Sequence, residues 1–145
     1  MRLLLAGGRH LDDVALIRNA LDRVHAKGPV RVLIHGGAGA LGIAAEDWAR
    51  EMRLHVVRYP ANWREFGRRA EAIRDGFMLA DSRPDLLLAL PGGNDTRALV
   101  LRALAAGLPV IDAEGRPAAP DDEAPPADQA PERLCNPAPP IALNL

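Results

Sequence analysis

Leu86-Leu87-Leu88-Ala89-Leu90-Pro91-Gly92-Gly93 is an apolar run of strand length, closed by a proline and two glycines. The same form occurs at Leu3-Leu4-Leu5-Ala6-Gly7-Gly8 and at Val32-Leu33-Ile34-His35-Gly36-Gly37. A segment with helical spacing follows each run. Apolar strands alternating with helices are the pattern of βαβ units, with right-handed crossovers. Little polar alternation inside the strands predicts helices over both sheet faces. The reading is an α/β fold, a three-layer parallel sheet of about five strands. Glycine pairs at three strand ends predict a ligand pocket on that rim, because backbone N–H groups can approach a ligand with no Cβ in the way.

Residues 2–6, 30–35, 54–59, 85–90 and 108–111 read as strands. Helices are expected at 11–27, 41–53, 66–80 and 96–106. The first carries Val14, Ile17, Leu21 and Val24 on one stripe, with Asp12 or Asp13 as cap and Gly28-Pro29 as stop. The second offers Ile43, Ala44, Trp48 and Met52 for burial, and the third places Ala70, Ile73 and Phe77 on one face. After Ile111 the composition shifts: the last 33 residues hold 8 of the 13 prolines and the acidic run Asp121-Asp122-Glu123. We read residues 1–112 as the folded domain and 113–145 as a disordered Pro/Ala-rich acidic tail.

A chain of 145 residues supports one domain. Residues 1–112 carry 16 basic and 13 acidic side chains, and the tail carries 2 and 6. So small a positive balance, without a Lys/Arg run, gives no reason to expect DNA or RNA as partner. Cys135 is the single cysteine, which suits a reducing cytoplasm. The first residues lack signal-peptide architecture, and no stretch approaches the ~20 apolar residues of a membrane span. The expected setting is cytoplasmic, with no membrane partner.

Three loops hold the candidate chemistry. In Gly7-Gly8-Arg9-His10, Arg9 either pairs with a phosphate or carboxylate of a ligand or bonds Asp12 or Asp13; His10 reads as solvated. His35-Gly36-Gly37-Ala38-Gly39-Ala40-Leu41-Gly42 suits a backbone cradle at a helix N-terminus, although it lacks the Lys-Ser/Thr ending of a P-loop. His35 itself reads as a strand-end histidine with its hydrogen bonds satisfied within the protein. In Pro91-Gly92-Gly93-Asn94-Asp95-Thr96, Asp95 stands before the expected helix as a natural N-cap, accepting N–H bonds that a phosphate would otherwise take. At ~5 Å and an effective dielectric of ~20, its charge would repel a phosphate charge by roughly 3 kcal/mol before screening.

With these motifs in hand, the chain resembles the SLOG superfamily, which groups DprA-like proteins with the LOG phosphoribohydrolases. It looks most like the short, single-domain YspA-like branch. The resemblance runs from about residue 2 to 112 through Leu5-Ala6-Gly7-Gly8-Arg9, Ile34-His35-Gly36-Gly37-Ala38 and Glu46-Asp47-Trp48-Ala49. It continues through Tyr59-Pro60-Ala61-Asn62-Trp63, Ile73-Arg74-Asp75 and Leu90-Pro91-Gly92-Gly93 to Thr96. It implies a Rossmann-like sheet binding a nucleotide or nucleotide-derived small molecule, as sensor or accessory protein. The site residues would be Gly7, Gly8, Arg9, Gly36, Gly37, Ala38, Trp63, Arg74, Gly92, Gly93, Asp95 and Thr96. Arg68 and Arg69 would border the pocket. A homodimer is what the LOG relatives suggest.

The departures matter too. His10 replaces the branch's usual Asp, Ala40-Leu41-Gly42 replaces a Gly-Ala-Asp triplet, Asp75 replaces an Asn, and Asp95 replaces a Gly. The acid that follows the Thr of this motif in LOG enzymes is missing, since Arg97-Ala98-Leu99 follow Thr96. No catalytic residue is assigned, and no metal or other cofactor is expected. Two alternatives stand beside ligand binding. One is a nucleoside-monophosphate N-glycosidase drawing on Asp95, Asp75 or Glu71 as its acid. The other is a degenerate scaffold acting through protein contacts.

Overall fold

The computed structural model describes residues 1–37 and 39–118. The expected apolar runs form the strands β1 (Arg2–Ala6), β2 (Val32–His35), β3 (His55–Arg58), β4 (Leu86–Ala89) and β5 (Val110–Ile111). All are parallel, in the order β3-β2-β1-β4-β5. The two leucine triplets lie side by side, Leu3 opposite Leu86, Leu4 opposite Leu87 and Leu5 opposite Leu88. Because side chains alternate across a strand, each triplet feeds both faces. Leu3, Leu5, Leu33 and Leu88 pack with α1 (Val14–Lys27) and α2 (Gly39–Glu51). Leu4, Ala6, Ile34 and Leu87 pack with α4 (Ala70–Ser82) and α5 (Asn94–Ala105). Covering a leucine this completely contributes about 1.5–3 kcal/mol. The fold is therefore the three-layer, Rossmann-like α/β arrangement, with helices on both faces of a five-stranded sheet.

Local signals set the helix ends. Asp13 caps α1 by accepting from the Leu16 amide at 3.1 Å, and Gly28 ends it. Buried Trp48 joins α1 to α2 through its indole N–H, which donates to Asp22 at 2.8 Å.

Several apolar side chains lie elsewhere than periodicity implied. Val14, Ile43 and Phe77 are exposed, Ile43 by 67%. In α2 the buried stripe is Leu41, Ala44, Ala45, Trp48, and Ile43 falls about 100° off it. In α4 the buried positions are Ala70, Asp75, Met78 and Ser82, so Met78 fills the place expected of Phe77. Met52 lies beyond the end of α2 and is partly exposed. Strand β3 is at the sheet edge and largely exposed, so helices cover both faces only of the central strands.

The helix expected at 66–80 is divided into a short α3 (Trp63–Phe66), a single 3-10 turn (Gly67–Arg69) and α4. Gly67, with φ 57°, separates the first two. Past the boundary expected at 112, the chain turns at Asp112, whose carboxylate accepts from the Glu114 and Arg116 amides, both at 2.9 Å. Ala118 then donates to the Val110 carbonyl. The remaining tail, 119–145, lies outside the described residues. No helix among the described residues is long and apolar enough to cross a membrane.

Candidate functional site

From β1 the sheet grows one way through β2 and β3 and the other way through β4 and β5. At such a switch point the loops leaving neighbouring strands diverge and open a crevice at the strand C-termini. A cleft of about 610 Å³ lies there, walled by the loops after β1, β2 and β4 and by Glu71, Arg74 and Asp75 of α4. Gly7, Gly8, Arg9, Gly36, Gly37, Arg74, Gly92, Gly93, Asp95 and Thr96 all line it. Trp63 does not: it starts α3, half exposed, away from the lining. Arg68 and Arg69 are exposed on the 3-10 turn and are likewise absent from the lining. Ala38 lies outside the described residues.

Several of the glycines admit protein rather than ligand. The Gly8 amide donates to the Pro91 carbonyl at 2.9 Å. A Cβ on Gly92 would stand 2.2 Å from Thr96 Oγ1 and 2.7 Å from the Gly8 nitrogen. The first and third loops are thus packed backbone to backbone. A Cβ on Gly36 would meet Arg74 Nη1 at 2.3 Å, so a guanidinium occupies that space. A Cβ on Gly93, by contrast, would have nothing within 4 Å.

The second loop is held by a closed polar network. His35 ends β2 and is 3% exposed. Its Nδ1 accepts from the Gly37 amide at 2.9 Å, which leaves Nε2 to carry the proton and donate to Glu46 Oε2 at 2.7 Å. Burial holds the imidazole below its ordinary pKa, against the pull of Glu46. Neutral His35 and ionised Glu46 are therefore joined by a charge-assisted hydrogen bond. Arg58 of β3 grips both Glu46 oxygens, at 2.7 and 2.9 Å, and holds that carboxyl below its ordinary range. The satisfied strand-end histidine expected from sequence is what the structure contains.

The cleft's own charges are arranged differently. Arg74 is largely buried; its Nε donates to Asp75 at 2.7 Å and its Nη1 to the carbonyls of Gly36 and Tyr59. Burial raises the Asp75 carboxyl, with Arg74 opposing. Arg9 Nη2 donates to Asp95 at 3.0 Å and to Glu71 at 3.3 Å, and not to Asp12 or Asp13. Desolvation and a hydrogen bond with Asp95 raise the Glu71 carboxyl. Asp95 is not the cap of α5. That helix begins at Asn94, with Gly93 at the cap position and no side-chain cap bond. Placed one residue inside, Asp95 turns its carboxylate to Arg9.

Glu71 and Asp75 were visible in the sequence as candidate acids, and the cleft brings them beside Asp95. The Glu46–Arg58 clamp on His35 was not foreseen. Its one available signal was the Glu46 of the Glu46-Asp47-Trp48-Ala49 motif, eleven residues after His35, the distance from a strand end to the third turn of the next helix.

Known proteins are similar to this chain. The family model described as YspA, cpYpsA-related SLOG family matches residues 1–66, which contain the first two glycine loops and the whole His35–Glu46–Arg58 network. The Gene 61 protein of Mycobacterium phage D29 is 32% identical over 124 residues, covering 80% of this chain and 98% of that protein. With the parallel sheet and its switch-point loops, these matches show that the chain belongs to the YspA, cpYpsA-related SLOG family.

Proposed function

We propose that this chain binds a nucleotide or nucleotide-derived small molecule in the cleft between β1 and β4, as a sensor or accessory protein. The observation that carries the reading is the cleft itself: about 610 Å³ at the switch point, with polar groups converging from two glycine loops and α4. That volume is within the range of small-molecule sites. Membership of the SLOG family is consistent with nucleotide-related binding. The test is a thermal-shift and calorimetric panel of AMP, GMP, ADP-ribose, NAD, nucleotide sugars and nucleosides on the full chain. A shift of several degrees with one class supports the reading; flat curves throughout turn the weight to the scaffold alternative.

One observation favours a second, enzymatic reading. Glu71 and Asp75 both face the cleft with raised carboxyl pKa values, as a proton donor to a leaving base requires. Release of free base from a nucleoside monophosphate, lost in Glu71→Gln and Asp75→Asn, would support an N-glycosidase. The proposal extends to a cytoplasmic homodimer, on Cys135 and the family resemblance; sedimentation at micromolar concentration tests the dimer.

A further inference from the structure

Resting on the nucleotide-binding reading, we infer that the Arg9–Glu71–Asp95 group recognises the free hydroxyls of a ribose, and not a phosphate. The cleft offers two guanidinium groups, and the structure engages both. Arg74 is turned to Asp75 and to two carbonyls within the fold. Arg9 lies between Glu71 and Asp95. A phosphate arriving at Arg9 would have to settle beside the two carboxyl groups that already hold its Nη2. The lining holds three acidic side chains, Glu71, Asp75 and Asp95, against those two arginines, so an added anion meets an excess of like charge.

A vicinal diol meets the opposite situation. Arg9 Nη2 lies 3.3 Å from Glu71 and 3.0 Å from Asp95, so two carboxyl groups stand together, with acceptor oxygens that can take two neighbouring O–H donors without a change in net charge. Arg9 keeps these carboxyl groups in place, and its remaining N–H groups can donate to the hydroxyl oxygens. The acids come from different elements, Glu71 from the first turn of α4 and Asp95 from the first turn of α5. Their spacing is therefore set by helix packing. Any phosphate the ligand carries sits away from Arg9, and the ribose 2′ and 3′ oxygens are unsubstituted.

The experiment is calorimetric titration of the full chain with ribonucleosides, their 2′-deoxy counterparts and the matching 5′-monophosphates. We expect the 2′-deoxy forms to bind at least about tenfold more weakly, the loss of one hydrogen bond to a charged acceptor. Glu71→Gln and Asp95→Asn should narrow that difference while the fold, followed by circular dichroism, is kept. Equal affinity for ribo and 2′-deoxy forms in the unmutated protein overturns the inference and leaves nucleotide binding intact. So does a 5′-monophosphate that binds more tightly to Asp95→Asn with the ribo preference unchanged. Absence of binding by every probe overturns this inference together with the binding reading on which it rests.

Discussion

The loop after β2 and the loops after β1 and β4 begin from the same sequence device, an apolar strand ending in two glycines, and reach opposite states. Around the β2 loop the charged and imidazole side chains are partnered inside the fold. His35 holds the Gly37 amide, Glu46 holds His35, Arg58 holds Glu46, and Arg74 occupies the space beside Gly36. Around the other two loops the ionisable groups face the cleft: Arg9 and Asp95 have side chains 52% and 67% exposed. A glycine pair thus marks close approach without saying what approaches. At Gly36 it is an arginine; at Gly92 it is a neighbouring loop; at Gly93 it is open space.

Arg74 joins the two regions, and removing it should do the most damage. Arg74→Ala leaves buried Asp75 without its cation and frees the Gly36 and Tyr59 carbonyls. We expect a loss of about 3–5 kcal/mol by urea denaturation. A loss under ~1 kcal/mol would mean that the closed network stands without it. Next comes the glycine contrast. Gly92→Ala should cost about 1–3 kcal/mol through forced separation of the two loops. Gly93→Ala should leave stability within about 0.5 kcal/mol and change ligand affinity alone. Equal effects at the two positions would erase the distinction between packed and open glycines.

Titration should separate the regions by sign. His35 has a lowered pKa, so its contribution is complete above 6.5 and is lost as pH falls through the lowered value. Glu46, also lowered, adds a second loss as pH falls below 4.5. His35→Gln should remove the first trend and Glu46→Gln the second, each at a cost of roughly 1–3 kcal/mol near neutrality. Glu71 behaves in reverse. Raised in the fold, it favours the folded state fully below 4.5 and loses that contribution as pH rises through its raised value. Glu71→Gln should therefore gain on the parent protein over that window, by ~1 kcal/mol or less for so exposed a cluster. Parallel pH profiles for the His35 and Glu71 variants would break the comparison.

Much of this was legible beforehand because it is local. The leucine triplets, the Asp13 cap and the Gly28 stop act within a few residues, and each element formed where its own chemistry put it. The strand-end histidine could be read the same way. Misplacements came where packing chose between adjacent faces: Met78 is buried and Phe77 is not, because α4 turns Ala70, Asp75 and Met78 toward the sheet. Asp95 is not the cap that its spacing predicts, because α5 starts two residues earlier, at Asn94, and Arg9 draws its carboxylate away from the helix end.

The parallel α/β class and the rim of glycine loops follow from the order of residues along the chain, since apolar runs and chain reversals are short-range properties. Tertiary structure alone decided what those loops enclose. Arg74 and Gly36 are 38 residues apart, and Arg9 and Asp95 are 86 apart. Which cation meets which acid therefore depends on strand order and helix packing. Arginine and carboxylate groups make a closed clamp on His35 on one side of β1 and an open cluster of Arg9, Glu71 and Asp95 on the other, because β3 lies beside the first and the switch-point cleft beside the second.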